Sequence, residues 1–132
     1  MIVLDTHTLI WWVNGDKQLS AKAKKAIESE LSKEGSVVIS AISAWEIGML
    51  VEKGRLALTM DIDDWLKTVS SIEGVSFLPV DTDVAVQSVR LPGEFHPDPA
   101  DRIIVALARH YSVPLVTADM KIREYRHVKT IW

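Results

Sequence analysis

At 132 residues the chain has the length of one domain, and 48% hydrophobic with 25% charged residues is a globular composition that excludes a mostly disordered chain. With no cysteine, disulfide scaffolds, Cys-ligated zinc, iron–sulfur clusters and thiol nucleophiles are ruled out. A formal charge of −3 argues against a simple basic nucleic-acid binder.

The opening Met1-Ile2-Val3-Leu4-Asp5 lacks the basic region and cleavage site of a signal peptide. No run approaches the ~18 apolar residues of a membrane span, so a soluble cytoplasmic protein is expected. Ile2–Leu4 reads as a first buried strand. Lys17–Lys33, polar and Lys-rich after Leu19, reads as a surface helix. Val37–Ile39 is a second strand, followed by a helix over Ser43–Lys53 that opens on a capping signal and stops at Gly54. Asp61–Ser71 places Trp65, Leu66 and Val69 at helical spacing. A third strand, Val75–Leu78, leads through a turn at Asp81 into a helix over Thr82–Val89. The turn-rich stretch 91–98 is a loop on the approach to a helix over Pro99–His110, which has Pro in its first turn and His110 in its last. Leu115–Val116 and a weaker Val128–Ile131 complete five short strands, of a kind that suits burial on both faces. Strands alternating with helices imply a parallel sheet, hence an α/β fold of three layers with residues 1–132 as a single domain.

In open α/β sheets ligands bind outside the carboxyl ends of the strands. Asp5 follows the first strand and Asp119 the fourth; Glu46 falls in the first turn of the helix after the second strand, and Asp101 in the first turn of the Pro99 helix. Each acid has a plainer role open to it. Asp5 and Asp119 suit turns. Ser43-Ala44-Trp45-Glu46 fits a capping box, which for Glu46 alone outweighs a ligand role. Asp101 complements a helix dipole, and Asp98 is the better N-cap of that helix. If the first and fourth strands are neighbours, Asp5 and Asp119 come close together. Several carboxylates in one cleft repel, and hard oxygen donors without Cys or His suit Mg²⁺ or Mn²⁺.

Four segments in order carry a family resemblance. They are Asp5-Thr6-His7-Thr8-Leu9-Ile10-Trp11-Trp12, Ser40-Ala41-Ile42-Ser43-Ala44-Trp45-Glu46-Ile47, His96-Pro97-Asp98-Pro99-Ala100-Asp101-Arg102-Ile103-Ile104-Val105-Ala106, and Thr117-Ala118-Asp119. The chain resembles PIN-domain proteins, most of all the VapC-type toxins of toxin–antitoxin pairs, over essentially its whole length down to Thr130-Ile131-Trp132. The resemblance implies a five-stranded parallel sheet with the first strand beside the fourth. It implies a metal-dependent endoribonuclease in which Asp5, Glu46, Asp101 and Asp119 are the catalytic, metal-binding acids for Mg²⁺ or Mn²⁺. Thr6 and Thr117 match residues that support the acids; Asp98 belongs to the same motif, mainly as a cap. It further implies an RNA substrate, cleavage to a 5′-phosphate and a 3′-hydroxyl, a homodimer, and a VapB-type antitoxin whose tail covers the acidic cleft.

Other residues invite more modest expectations. His7 is expected beside the cleft, packing or hydrogen-bonding, and His96 as a solvated loop histidine; His110 and His127 read as structural or exposed. Ser40 and Ser43 have no base partner to make a nucleophile. Arg102 could hold an RNA phosphate or pair with a carboxylate, with neither preferred. Of Trp11, Trp12, Trp45 and Trp65, at least half are expected in the core, and any left exposed would anchor an interface.

Three rival readings remain. A haloacid-dehalogenase-like phosphatase wants a second Asp where this chain has His7. A phospho-receiver module needs an acceptor at the third strand, for which Asp81 is the only candidate. A pure interaction module would use the acids only as caps. The net acidity does not decide among them, because it is unevenly spread. Residues 61–100 hold eight acidic and two basic residues, whereas residues 101–132 hold three acidic and six basic: Arg102, Arg109, Lys121, Arg123, Arg126 and Lys129. Phosphate contacts need that local rather than net positive charge.

Overall fold

The computed structural model describes residues 1–132. Its five strands are β1 (Ile2–Leu4), β2 (Val37–Ser40), β3 (Val75–Leu78), β4 (Leu115–Val116) and β5 (Thr130–Ile131). They pair in the order β3-β2-β1-β4-β5, all parallel. Seven helices connect them: α1 (Thr6–Asn14), α2 (Ala21–Ser32), α3 (Ala41–Glu52), α4 (Ile62–Ser70), α5 (Thr82–Val89), α6 (Pro99–Tyr111) and α7 (Met120–Arg123).

The period of two along the strands divides the core in two. Ile2, Leu4, Val37, Ile39 and Val116 face one side and pack with Leu9, Ile10, Ala23, Ile27, Ile47, Trp65 and Val69 from α1 to α4. Val3, Val38 and Leu115 face the other and pack with Val84, Ile104, Val105, Leu107 and Ile122 from α5, α6 and α7. This is the expected three-layer α/β arrangement. Burial on both faces holds for the central strands only. β3 and β5 are the sheet edges, so Ser76 is exposed and β5 is half-buried. β5 is also shorter than expected, because Val128 packs on the second core without joining the ladder.

Helices differ from expectation in four places, one of them α7, a single turn capped by Asp119 that has no counterpart among the expected helices. α1 was not legible in the sequence: THTLIWWVN is poor in strong helix formers, and its hold is external. Asp5 caps its start, Gly15 at φ 64° closes its end, and Leu9 and Ile10 are buried against the sheet. α2 begins at Ala21 rather than Lys17 because Ser20 accepts from the Ala23 N–H. α3 begins two residues early, since Ser40 and not Ser43 is its N-cap. Glu46 therefore sits in the second turn, and no capping box forms. α5 and α6 lie as expected, with Asp81 and Asp98 as their N-caps.

Candidate active site

The cleft opens where β1 and β4 end side by side, as the register Leu4↔Val116 requires. Its volume is about 420 Å³, and Asp5, Glu46, Asp98, Asp101 and Asp119 all line it, with Thr6, His7 and Trp11 on the wall. Five carboxylates drawn from four separate sequence segments converge there.

Asp5 and Asp119 are set by the backbone. Asp5 leaves β1 in an extended conformation and N-caps α1, accepting the Thr8 N–H at 2.9 Å on Oδ1. The Thr117 hydroxyl donates to its other oxygen. Thr8 in turn donates to the Val116 carbonyl at 3.0 Å, tying α1 to β4. Asp119 N-caps α7, its Oδ1 accepting the Lys121 N–H at 2.8 Å. Its own N–H donates to Thr117 Oγ1 at 3.0 Å, so one threonine orients both acids. Each carboxylate thus faces the positive end of a helix.

Glu46 and Asp101 project from helices instead. The Thr6 hydroxyl donates to Glu46 Oε1 and lies 2.8 Å from Ser43 Oγ. Since that hydroxyl carries one proton, Ser43 is the donor in the second contact. Asp98 Oδ1 accepts the Asp101 N–H at 3.1 Å.

Crowding and burial disfavour the charged forms. Burial raises the Asp5 carboxyl above the usual range against the opposing pull of its Thr117 and Thr8 bonds. Burial likewise raises Glu46, opposed by Thr6 and reinforced by Asp98 and Asp5. Asp101 is pushed up to about 7, first by burial and then by Asp98, Asp119, Glu46 and Asp5 together. Such a site lacks cationic charge.

The donor set is all oxygen, which fits Mg²⁺ or Mn²⁺ in kind. The bonds described above engage one oxygen each of Glu46 and Asp119, leaving the second to a ligand. As placed, no three acidic or histidine side chains stand close enough to share one ion, so binding would draw the carboxylates together.

Asp5, Glu46, Asp98, Asp101 and Asp119 line one cleft, and the hydroxyls of Thr6 and Thr117 hydrogen-bond to Glu46 and Asp5. Four other residues differ from expectation or sharpen it. His7 is exposed beside the cleft, its ring 5.8 Å from that of Trp11. His96 is not a solvated loop residue: its Nε2 is buried, without a well-aligned hydrogen bond, 3.2 Å from Asp101 Oδ2. Arg102 takes neither role open to it. Its guanidinium donates to the carbonyls of Ser88 (2.8 Å) and Phe95 (2.9 Å), with longer contacts to Val89 and His96, and so fastens the 91–98 loop to α6. Asp81 caps α5 and does not line the cleft, which removes the receiver-module acceptor. Sequence reasoning missed the burial of His96, which has no local signal in the sequence. Trp65 is buried, Trp11 and Trp12 are partly buried on the first core, and Trp45 remains 59% exposed.

The family model described as PIN domain matches residues 2–128. The chain belongs to the PIN-domain family. This PIN domain is 35% identical to ribonuclease VapC22 of Mycobacterium tuberculosis over 133 aligned residues, covering 99% of this chain and 98% of that protein. Among solved structures, its fold is similar to VapBC2 from Rickettsia felis bound to a promoter DNA fragment (TM-score 0.71, 16% identity, 98% and 97% of the two chains). It is also similar to a toxin–antitoxin complex from Klebsiella pneumoniae (TM-score 0.66, 22% identity, 97% and 95%). M. tuberculosis VapC20, described as a toxin that cleaves the sarcin–ricin loop, shares the fold as well (TM-score 0.62, 15% identity, 98% and 99%). No helix of this PIN domain is long and apolar enough to cross a membrane.

Proposed function

We propose that this PIN domain, acting as one unit over residues 1–132, is a divalent-metal-dependent endoribonuclease and the toxin of a toxin–antitoxin pair. The observation that carries the reading is the convergence of Asp5, Glu46, Asp101 and Asp119 in one cleft, in a chain so similar to a ribonuclease along its full length. A VapB-type antitoxin, a homodimer and a cytoplasmic site of action follow from the same kinship.

Asp5, Glu46, Asp101 and Asp119 would hold Mg²⁺ or Mn²⁺. The ion would supply a Lewis acid for the phosphate and a bound water of lowered pKa. The chain's own contribution is positional. Thr117 holds Asp5 and Asp119 in fixed relation, Thr6 orients Glu46, and the ends of β1 and β4 set the spacing. Water attacks phosphorus, the P–O3′ bond breaks, and the departing oxygen takes a proton to give a 3′-hydroxyl and a 5′-phosphate.

The test is purification free of antitoxin followed by incubation with RNA in Mg²⁺, Mn²⁺ or EDTA, with the cut ends sequenced. Cleavage should require the metal and vanish in Asp5→Asn; cleavage that EDTA leaves unchanged would overturn the reading.

A further inference from the structure

A second cavity, of about 510 Å³, adjoins the cleft. Four rings form a continuous row along it: His96 and Phe95 centroids are 4.3 Å apart, Phe95 and Tyr125 4.8 Å, Tyr125 and His127 5.3 Å. Lys121 and Arg126, both exposed, stand on its rim. A smaller hollow lies between them, sharing His96 and Lys121 with the ring-lined cavity and Asp98, Asp101 and Asp119 with the acidic cleft.

The cavity is structurally founded. Tyr125 is buried, and its hydroxyl donates to the Pro92 carbonyl at 2.5 Å, while Arg102 holds the Phe95 carbonyl from the other side. The loop and the segment after α7 are thereby fixed against each other.

We infer that this cavity is a subsite for single-stranded RNA, seating the base of a nucleotide that flanks the scissile phosphate. The proposal rests on the ribonuclease reading and adds where the strand lies. A π-face suits any base, so aromatic rows bind single strands with little regard to sequence. Glu94 and Glu124 also line the cavity and offset its two cations, which disfavours phosphate inside it. They leave acceptors for base amino groups, while Lys121 and Arg126 at the rim suit the backbone phosphates as the strand passes toward Asp119.

The test uses the full chain in EDTA with a short fluorescein-labelled single-stranded RNA, read by anisotropy. KM and kcat for the same RNA follow in Mn²⁺. Phe95→Leu, which keeps apolar bulk but removes the ring, and Arg126→Gln should each weaken binding roughly tenfold, raising KM with kcat little changed. Lys24→Gln, on α2, serves as the remote control and should bind as wild type does. Thermal melts check that the variants fold, and Arg126→Gln, altering an exposed side chain, guards against a folding defect in Phe95→Leu. Wild-type cleavage with unchanged binding and KM in both variants would overturn the subsite and leave the ribonuclease intact. Selective loss of binding in a protein that cleaves no RNA would keep the subsite and overturn the ribonuclease. A wild type that neither binds nor cleaves overturns both.

Discussion

The strand-end acids and the helix-borne acids of the cleft solve the same electrostatic problem differently. Asp5 and Asp119 are anchored: each caps a helix, and each is oriented through Thr117. Glu46 and Asp101 lack backbone donors to their carboxylates. Asp101 is pushed up first by its burial and then by all four other acids, whereas no other acid pushes on Asp5. The lesson is a division of labour, in which rigid acids define the site and less constrained ones bear the repulsion until a cation arrives.

Substituting one acid of each kind should separate the two roles most sharply. Asp5→Asn and Asp101→Asn should both cost at least about 10²-fold in kcat. In EDTA, however, Asp101→Asn should raise Tm by roughly 5 °C by removing a repelled charge, whereas the gain in Asp5→Asn should be offset because the amide removes the oxygen that accepts the Thr117 hydroxyl. Equal Tm changes, read by calorimetry, would erase the distinction. Next, Thr117→Val should weaken Mn²⁺ binding by about 10–100-fold, because the buried Asp5 carboxylate loses its orienting donor; titration calorimetry measures it.

pH tests the repelled acids without mutation. Asp101 has its carboxyl raised from 3.8 to about 7 on folding, and Asp5 and Glu46 shift in the same direction. A raised carboxyl stabilises the fold below its unfolded value, and that contribution is lost as pH rises through the folded one. In EDTA, Tm should therefore fall between about pH 4 and 7, and saturating Mn²⁺ should flatten the slope. A metal-free Tm that climbs through this window would contradict the assignment.

Smaller effects probe what presents Asp101. Arg102→Gln should cost about 2 kcal/mol in urea unfolding, since it strands several loop carbonyls. A phosphate-binding arginine would instead raise KM with stability intact. Asp98→Asn keeps the N-cap oxygen and removes one repelling charge. It should stabilise the metal-free protein by less than about 1 kcal/mol and leave most of the activity; a large loss would move Asp98 from cap to ligand.

Much of this contrast was legible in the sequence. The bounds of α5 and the Asp98 cap of α6 rest on local chemistry that a sequence displays, namely turn residues and N-caps, whereas the four acids as a set and the adjacency of β1 and β4 were implied only by the resemblance to PIN-domain proteins. α1 was hidden because its stability comes from caps and from the sheet beneath it, which override weak propensity. Glu46 was misplaced by a turn because Ser40 and Ser43 are equally good caps by composition, and only the end of β2 selects between them. The burial of His96 and the carbonyl-binding of Arg102 depend on how the 91–98 loop folds back over α6, a matter of tertiary packing with no periodic signature.

The pairing of β1 with β4 also has a consequence in time. Asp5 is made long before Asp119, and chains emerge at about 5–20 residues per second with their N-terminal parts free to fold first. Half of the anchored pair therefore waits for the strand that completes it. A chain that stops between Tyr111 and Thr117 carries Asp5, Glu46, Asp101 and the whole of α6, yet lacks the hydroxyl that fixes the second oxygen of Asp5. The cleft is therefore closed by β4 and the Asp119 turn only after its other acids have been made.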